Sequence, residues 1–379
     1  MNEIKVIEVK SKRDIKDFVD FQFYIYKNDS YWVPPIKFER MQFFNPNKNP
    51  FYKNADIALF IAKKDGKSVG TIAAIINYNH NKLYNDNVGF FGCFEVIDNY
   101  EVAKLLFDKV KDWLKEKNMD TMRGPVNFST NEECGLLIDG FDSPPVCMMT
   151  YNPEYYIDLI ERYGFKKAMD LYAYWISLEE LRKKANKLPE KLTRVVNKIK
   201  KRKNLVIRNI DMKKFDEEVE RFKKIYNSAW EKNWGFVPMT DAEIEHLANG
   251  LKKFIDPELI FIAEIDGSPV GFSLNVPDIN QPLLRIKGKL LPFGWIKYLW
   301  YKRKIDICRV FAMGVLEKYR RLGINALMHY EASKNILSKG YKGVEMSWIL
   351  ENNVMTNREI KAMGGKIYKT YHIYDYKID

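Results

Sequence analysis

Two adjacent arginines and a glycine follow a long apolar run near residue 320. The run Ile307–Val315 is rich in apolar and β-branched residues, which predicts a buried strand. A turn follows, and a helix is predicted to begin at Gly323. The first N–H groups of a helix have no partner within it and lie at the positive end of its dipole. Glycine lets an anion approach the backbone, and Arg320 and Arg321 add positive charge, so this stretch predicts an anion-binding turn.

The segment V-L-E-K-Y-R-R-L-G-I-N at positions 315–325 resembles the coenzyme A pyrophosphate signature of the GNAT acyltransferase superfamily. That signature is usually written V-x-P-x-x-(Q/R)-x-x-G-x-(G/A). The strand, its valine, the arginine, the glycine and the apolar residue after it match. Glu317 stands where proline is common, and Asn325 stands where glycine or alanine is usual, with Ala326 one position later.

The resemblance implies an acyl-coenzyme A donor and assigns residues to it. In GNAT domains the backbone N–H groups of the fourth strand hold the pantetheine arm and the thioester. Here that role falls to Met313, Gly314 and Val315. The pyrophosphate role falls to Arg320, Arg321, Leu322, Gly323, Ile324, Asn325 and Ala326. The family often has an asparagine just after the fifth strand that contacts the coenzyme, and Asn353 matches it.

Acyl transfer from a thioester to an amine needs a deprotonated nucleophile, a polarised carbonyl and a proton for the departing thiolate. The family often places its acid, a tyrosine, seven residues after that asparagine, but Ile360 occupies this position here. Glu351, at the end of the predicted fifth strand, is the candidate base, acting through a water. Tyr374 is the candidate acid. The alternatives left open are Glu345, Tyr368 and Tyr371.

The sequence repeats itself at an offset of about 200 residues. The pattern F-I-A-x-x-D-G-x-x-V-G occurs at 60–70 and again at 261–271, and each copy predicts two strands joined by an Asp-Gly turn. Further landmarks keep nearly the same offset. The chain is therefore predicted to be a tandem duplication of a strand–helix–hairpin–strand–helix–strand–helix–strand unit. This order resembles the GNAT fold, a mixed, mostly antiparallel twisted sheet flanked by helices, with the coenzyme between the splayed fourth and fifth strands.

We expect a first GNAT-like domain over residues 1–177, a linker over 178–204 and a second domain over 205–379. The first copy has Glu101 in place of the arginine and lacks the glycine, so like-charge repulsion predicts that it has lost coenzyme binding. Its long loop at 123–145 either faces the acceptor or packs as a structural loop.

The net charge of +12 is concentrated in two segments. Residues 182–203 carry eleven bases and one acid, and residues 285–304 carry seven bases and no acid, so the rest of the chain is negative. No specific nucleic-acid binding is therefore expected. The first segment predicts an amphipathic linker helix with basic residues that face solvent, or else contact nucleic acid or an acidic partner. Its apolar stripe is Leu188, Leu192, Val195, Val196 and Ile199.

The second basic segment places Trp295, Ile296, Leu299 and Trp300 at helical spacing, which predicts a helix of barely three turns, too short to span a bilayer. Three interpretations stay open. The helix covers a sheet edge while its lysines reach water, or it forms a lid over the acyl or acceptor tunnel. In the third, Lys289–Lys304 make a peripheral contact with an anionic membrane.

The composition indicates the general class of protein. A chain of 379 residues with 46% hydrophobic and 30% charged residues is typical of globular proteins. No apolar run approaches 18 residues and the start has no apolar core, which predicts a cytoplasmic protein. The four cysteines have no metal-ligand or paired spacing and are expected to be reduced core residues. The four histidines show no ligand spacing either, so no metal is expected.

The leading hypothesis is an acyl-CoA-dependent N-acyltransferase, with acetyl-CoA as the first donor considered, and an active site in the second domain. The acceptor would be a small-molecule or peptide amine. One alternative is a Fem-type or long-chain acyl or aminoacyl transferase. Another is a non-catalytic module that binds coenzyme A, a membrane or nucleic acid.

Overall fold

The computed structural model describes residues 3–183, 190–200 and 204–379. Up to residue 177 the elements are β1 (Lys5–Glu8), α1 (Lys12–Ile25), α2 (Lys37–Phe43), β2 (Ala55–Lys64), β3 (Lys67–Asn77), α3 (Tyr78–Tyr84), β4 (Val88–Val96), α4 (Tyr100–Glu116), β5 (Thr121–Gly124), β6 (Val126–Asn127), β7 (Glu133–Cys134), β8 (Leu136–Asp139), α5 (Tyr156–Tyr163) and β9 (Lys166–Ser177).

From residue 178 they are α6 (Leu178–Lys183), α7 (Glu190–Ile199), β10 (Leu205–Asn209), α8 (Phe215–Trp230), α9 (Asp241–Leu251), β11 (Ile260–Ile265), β12 (Ser268–Pro277), α10 (Asn280–Ile286), α11 (Gly294–Lys302), β13 (Ile307–Val315), α12 (Ile324–Ser338), β14 (Gly343–Leu350), α13 (Val354–Ala362) and β15 (Lys366–Lys377).

The predicted repeat is confirmed by the order of these elements. Both predicted hairpins form, with β2 antiparallel to β3 and β11 antiparallel to β12. The two residues of each turn have positive φ angles, 51° at Asp65 and 74° at Gly66, then 50° at Asp266 and 75° at Gly267. Aspartate and glycine tolerate this left-handed geometry, which matches the twist of the strands that the turn joins.

The described chain divides into two compact units. The first contains Met1–Leu171, Leu283–Tyr298 and Lys369–Asp379. Its sheet has the order β1, β2, β3, β4, β5 and β15. Neighbours are antiparallel except for β4 and β5, which are parallel. Its core lies between this sheet and α4, where Leu106, Phe107 and Val110 are completely buried.

The second unit contains Tyr172–Pro282 and Leu299–Tyr368. Its sheet has the order β10, β11, β12, β13 and β14, followed by the end of β9. Again one neighbouring pair, β13 and β14, is parallel, and β10 to β13 are antiparallel. Helix α12 packs on this sheet through Ile324 and Met328, which are completely buried. Each unit is thus a mixed, mostly antiparallel sheet flanked by helices, as predicted.

The units do not follow the consecutive division of the sequence at 177 and 205. Most of β15, the last strand of the chain, belongs to the first unit, because its ladder with β5 pairs Tyr374 with Gly124. Conversely, residues 172–177 of β9 belong to the second unit. Of the predicted linker stripe, Val196 and Ile199 are buried and pack on Leu327. Leu188, and the side chains of Leu192 and Val195, lie outside the described part of the chain.

Candidate active site

In the second unit, β13 and β14 part halfway along their length. Their parallel ladder ends at the pair Val310 and Met346. Strand β13 nevertheless continues to Val315 and β14 to Leu350. Residues 311–313, beyond the last pair, are only partly buried. The second unit therefore contains an open gap between two strands, with backbone groups along one side.

A β-bulge turns β13 at the start of this gap. Leu274 of β12 pairs with Ala312, whereas the next residue, Asn275, pairs with Val310, so that Phe311 is the extra residue. A bulge bends its strand and ends regular pairing. The side chain of Asn275 is completely buried behind it. The bulge explains how β13 can leave β14 while it stays paired with β12.

The strand leads directly into an uncapped helix start. Glu317–Leu322 form a short 3-10 helix, Gly323 has a φ of 78°, and α12 begins at Ile324. Within residues 317–338, no side chain forms a capping hydrogen bond at the N-terminus of α12. Its first N–H groups and its dipole therefore face the end of β13 without a competing side chain. The structure brings the predicted pyrophosphate residues together here, from Arg320 to Asn325 and Ala326.

The guanidinium group of Arg320 contacts the protein's own backbone. Its Nε donates to the carbonyl oxygen of Val315 at 3.2 Å, and Nη2 donates to that of Ala229 at 2.6 Å. The side chain therefore ties the loop to the ends of β13 and α8. Arg321 is exposed beside it. Of the two arginines, Arg320 thus shapes the loop, and Arg321 supplies a solvent-facing positive charge.

The residues assigned to the thioester lie at the end of β13. Met313 is partly buried, whereas Gly314 and Val315 are buried. A Cβ atom at Gly314 would lie 2.8 Å from both the Cβ of Ala229 and the ring of Trp230. Only glycine therefore lets α8 approach the strand so closely at this point.

The residues predicted after the fifth strand also lie in the second unit. Glu351 is partly buried in the turn that follows β14. Asn353 caps α13, because its side-chain oxygen accepts from the N–H of Thr356 at 3.3 Å. Ile360 is 1% exposed and belongs to the core. The tyrosine usual at that position is therefore replaced by a packing residue.

Tyr374 is placed in the first unit instead. Its hydroxyl donates to Oε1 of Glu161 at 3.1 Å and lies 3.2 Å from Nδ1 of His372. Burial and the Glu161 carboxylate hold the pKa of Tyr374 above its usual range. The structure therefore does not gather Tyr374 into the unit that holds the predicted coenzyme loop. Among the alternatives, Tyr371 also belongs to the first unit, and Tyr368 belongs to the second.

Glu345, another alternative, forms a buried ion pair. It lies opposite Arg309 on the rung before the ladder ends, and Arg309 Nε is 3.5 Å from its Oε2. The side chains are 1% and 0% exposed. The rings of Phe311 and Trp348 lie 5.2 Å from the guanidinium carbon. The pair therefore lies where the gap between the two strands begins. The sequence indicated it only through the single charged residue in each of these two apolar strands.

The corresponding gap in the first unit is filled by the chain itself. The β4–β5 ladder ends at Phe90 and Arg123. Beyond it, the N–H of Cys93 donates to Oδ1 of Asn127 at 2.7 Å. A Cβ atom at Gly92 would collide with the carbonyl oxygen of Val126. The long loop predicted at 123–145 thus begins by packing against the edge of β4.

The helix that follows β4 is also closed to an anion. The side chain of Asn99 caps α4 by accepting from the N–H of Val102 at 3.2 Å. Glu101 occupies its first turn, as the sequence showed. The strand edge and the helix N-terminus, both open in the second unit, are therefore both occupied by side chains in the first.

Sequence reasoning missed a partly buried carboxyl in the first unit. Glu95, on β4, accepts hydrogen bonds from Gln22 Nε2 at 3.0 Å and from the hydroxyls of Tyr26 and Tyr156, both at 2.9 Å. Burial raises the pKa of Glu95 to about 7, although these donors favour the ionised form. Its signal was available, because Glu95 is the one charged residue in the run Phe90–Val96.

An apolar cavity of about 70 Å³ lies in the second unit between helices α8 and α9 and strands β11 and β12. This volume accommodates about five water-sized groups. Its wall is almost entirely hydrocarbon, with Phe222, Leu247, Ala248 and Phe272 among the lining side chains. Such a cavity suits an alkyl chain better than a polar ligand.

Neither of two further kinds of feature occurs in the described ranges. No helix there has the length and apolarity to cross a membrane. Likewise, within 3–183, 190–200 and 204–379, no group of three or more His, Cys, Asp and Glu side chains could hold a metal ion.

Sequence comparison identifies two relatives that match almost the whole chain. Protein YghO of Escherichia coli strain K12 is 35% identical over 374 residues, which cover 97% of this chain and 94% of that protein. A Caulobacter vibrioides protein named bacterial ceramide synthase is 35% identical over 380 residues, which cover 98% of this chain and 97% of that protein. No family model matches the sequence.

Comparison with solved structures shows the fold. A tandem GNAT protein from the clavulanic acid biosynthesis pathway has a TM-score of 0.60 and 10% identity, covering 100% of this chain and 99% of that chain. A GCN5-related N-acetyltransferase from Sphaerobacter thermophilus has a TM-score of 0.52 and 12% identity, covering 99% of this chain and 96% of that chain. The predicted tandem GNAT fold is therefore confirmed.

Proposed function

We propose, from the premise that this chain belongs to the family of YghO and the bacterial ceramide synthase and has the tandem GNAT fold, that it is an acyl-CoA-dependent N-acyltransferase. The donor would bind in the second unit, with its pantetheine arm along Met313–Val315 and its diphosphate at Gly323–Ala326.

The contrast between the two units carries this proposal. Both contain a parallel strand pair that parts, followed by a helix. In the first, Asn127 and Asn99 occupy the strand edge and the helix start. In the second, the edge is partly exposed and the start of α12 has no side-chain cap. The unpaired edge of β13 and the uncapped N-terminus of α12 lie next to each other. Together they suit a ligand with an amide-containing arm and an anionic diphosphate.

We further propose a long-chain substrate rather than acetyl-CoA with a short amine. The apolar cavity between α8 and α9 supports an alkyl chain. Ceramide is the amide of a fatty acid with a long-chain amino alcohol, so the name of the Caulobacter relative points the same way. An acceptor of this kind is a lipid, which fits a peripheral membrane contact through Lys289–Lys304.

In the proposed reaction the amine nitrogen attacks the thioester carbonyl, the C–S bond breaks, and the departing thiolate takes up the proton that the amine has lost. Backbone N–H groups at the free edge of β13 would polarise the carbonyl. Glu351, at the end of β14, would take the proton of the amine through a water. Asn353 would fix this turn through its cap on α13. Arg320 would position the loop through its bonds to Val315 and Ala229.

The test is coenzyme A binding by calorimetry to the wild type, Gly323→Asp and Gly340→Asp. Both glycines have positive φ angles, 78° and 84°, and Gly340 lies just beyond the other end of α12 with nothing within 4 Å of an added Cβ. Only an aspartate at Gly323 would oppose the diphosphate, so we expect binding to be lost there and kept in Gly340→Asp. Absence of binding to the wild type would refute the donor assignment.

The substrate class is tested separately with a matrix of acyl-CoA chain lengths and amine chain lengths, read by mass spectrometry of the amide. We expect product to increase with chain length. Acetyl transfer to short amines at the highest rate would refute the long-chain assignment while leaving the transferase assignment intact.

A further inference from the structure

An exposed apolar surface surrounds helix α11 and the loop before it. Among the described residues, 17 large hydrophobic side chains are exposed, and six of them fall within ten consecutive positions. Leu291 is 82% exposed and Phe293 is 69% exposed. The other four, each 49% to 52% exposed, are Trp295, Ile296, Leu299 and Trp300. A concentration of this kind marks an interaction surface, whereas single exposed apolar residues do not.

These four side chains form one face of the helix. Successive residues turn by about 100°, so positions 295, 299, 296 and 300 lie side by side. Gly294, Tyr298 and Tyr301 lie on the opposite face and are less exposed. The helix therefore rests on the protein through its glycine and tyrosine face and directs its tryptophan and leucine face outward. This excludes the interpretation in which the apolar face covers a sheet edge.

Basic residues border the outward face. At the same angular increment, Lys297 lies on one side of it and Lys302 on the other. The Nζ of Lys302 also donates to the carbonyl oxygen of Lys253 at 3.3 Å. Lys304 Nζ lies 3.5 Å from the centre of the Trp300 ring. Between Asp278 and Asp306 the sequence contains seven bases and no acid. The surface thus combines large apolar side chains with a lysine on each side of them, and the carboxylate of Glu39 acts on Tyr298 on the opposite face of the helix.

This combination favours one occupant over others. A second copy would bring an equally positive border against the first, and like charges would repel. Nucleic acid would use the basic and aromatic residues but would leave Leu291, Ile296 and Leu299 in contact with a polyanion. An anionic bilayer uses both features, because apolar and tryptophan side chains enter the interface while lysines contact the headgroups.

We propose that the protein docks on anionic lipid bilayers through this surface, which comprises Leu291, Phe293 and helix α11. The helix lies in the plane of the interface. Trp295, Ile296, Leu299 and Trp300 enter the headgroup boundary, and Lys297 and Lys302 contact lipid phosphates on either side. This docking does not depend on the acyl transfer proposed above, and its test requires no activity.

The test is sedimentation of the full-length protein with phosphatidylcholine vesicles, with and without about one-third phosphatidylglycerol. We expect binding to the anionic vesicles only, because each base near an anionic surface strengthens binding about fivefold. The triple variant Lys302→Gln, Arg303→Gln, Lys304→Gln should therefore bind about 100-fold more weakly. The double variant Trp295→Ser, Leu299→Ser should lose binding.

Matched controls remove the same charge or apolar area elsewhere. Lys224, Lys361 and Lys366, all exposed, are changed to glutamine together, and Val354 and Met355, which are 51% and 66% exposed, are changed to serine together. Both controls should bind as the wild type does. Circular dichroism confirms that each variant is folded. Brominated lipid should quench the fluorescence of the wild type more than that of Trp295→Phe, Trp300→Phe.

The proposal is overturned if the wild type fails to sediment with anionic vesicles, or if the α11 variants bind as well as the controls. Binding of random-sequence DNA without binding of vesicles would identify a nucleic-acid surface instead. A dimer in light scattering that Trp295→Ser, Leu299→Ser dissociates, with no vesicle binding, would identify a contact between copies.

Discussion

The backbone N–H of Cys93 donates to Oδ1 of Asn127 at 2.7 Å, and this bond occupies the strand edge that stays open in the other repeat. One asparagine, delivered by a loop that only the first repeat has, thus closes the edge of β4 beyond its ladder with β5. The two units share one architecture, and this loop is a difference between them at the gap.

Asn127→Ala should destabilise the protein without changing coenzyme affinity. The variant leaves the N–H of Cys93 without its partner in a buried strand, which costs about 1 to 3 kcal/mol. Urea unfolding measures the loss, and calorimetry measures coenzyme A binding. Asn47→Ala, at an exposed position of the same unit, should change stability by less than about 0.5 kcal/mol. Loss of coenzyme binding in Asn127→Ala would place the donor in the first unit.

Local sequence patterns predicted much of this fold. The Asp-Gly turns fixed both hairpins, because few residue pairs accept two positive φ angles in succession. The glycine after Arg320 marked the start of α12. Periodicity could not predict that Tyr374 belongs to the first unit. The last strands of the two repeats have similar patterns, and pairing with β5 or β14 is decided by contacts distant in sequence.

The candidate site depends more than the fold does on contacts that the sequence does not show. Composition marked residues 123–145 as a long loop but did not show that Asn127 would reach Cys93. Likewise, the single charges in two apolar strands, Arg309 and Glu345, could be read from the sequence, but their pairing depends on the register of β13 and β14. Register is a property of the assembled sheet, whereas the residue pattern of a strand shows only which faces are apolar.

Glu95 should make the protein less stable as the pH rises from about 4.5 to about 7. Burial raises its pKa in the folded state to about 7 from an ordinary value of 4.5. Between these values Glu95 holds a proton in the folded state that it has released in the unfolded state. Its contribution to the free energy of unfolding is therefore full below pH 4.5 and is lost progressively up to pH 7. The loss amounts to about 3 kcal/mol.

Glu95→Gln tests this titration because glutamine keeps the shape and removes the ionisation. The free energy of unfolding is measured by urea at several pH values between 4 and 8. We expect the fall in the free energy of unfolding between pH 4.5 and 7 that Glu95 causes to disappear. The variant should be more stable than the wild type at pH 8. A variant that is less stable than the wild type at pH 8, with the same dependence of stability on pH between 4.5 and 7, would show that the pKa of Glu95 is not raised in the folded protein.

The buried pair of Arg309 and Glu345 should tolerate joint replacement far better than single replacement. Arg309→Met leaves the Glu345 carboxylate buried without its counterion, which costs about 3 to 5 kcal/mol. The double variant Arg309→Met, Glu345→Leu replaces both charges by apolar groups and should unfold within about 1 kcal/mol of the wild type. Urea unfolding of the wild type, both single variants and the double variant completes the cycle. Equal costs in the single and double variants would contradict this account.

Filling the apolar cavity should separate long substrates from short ones. Ala248 lines the cavity on α9, so Ala248→Phe places a ring in the space proposed for about four methylene groups. At about 0.8 kcal/mol for each buried methylene, the loss of these contacts lowers kcat/KM for long-chain substrates about 100-fold. Turnover of acetyl-CoA with a short amine should be unchanged. Lengthening the donor and the acceptor separately identifies which chain the cavity holds.

The control for Ala248→Phe is Asn249→Phe, because position 249 lies next along α9 and is exposed. It adds the same ring to the same helix outside the cavity and should leave every rate unchanged. Thermal unfolding of Ala248→Phe should occur at or above the wild-type temperature, since a cavity filled without strain gains packing contacts. If Ala248→Phe is folded and acts on long chains as well as the wild type does, the alkyl chain binds elsewhere in the protein.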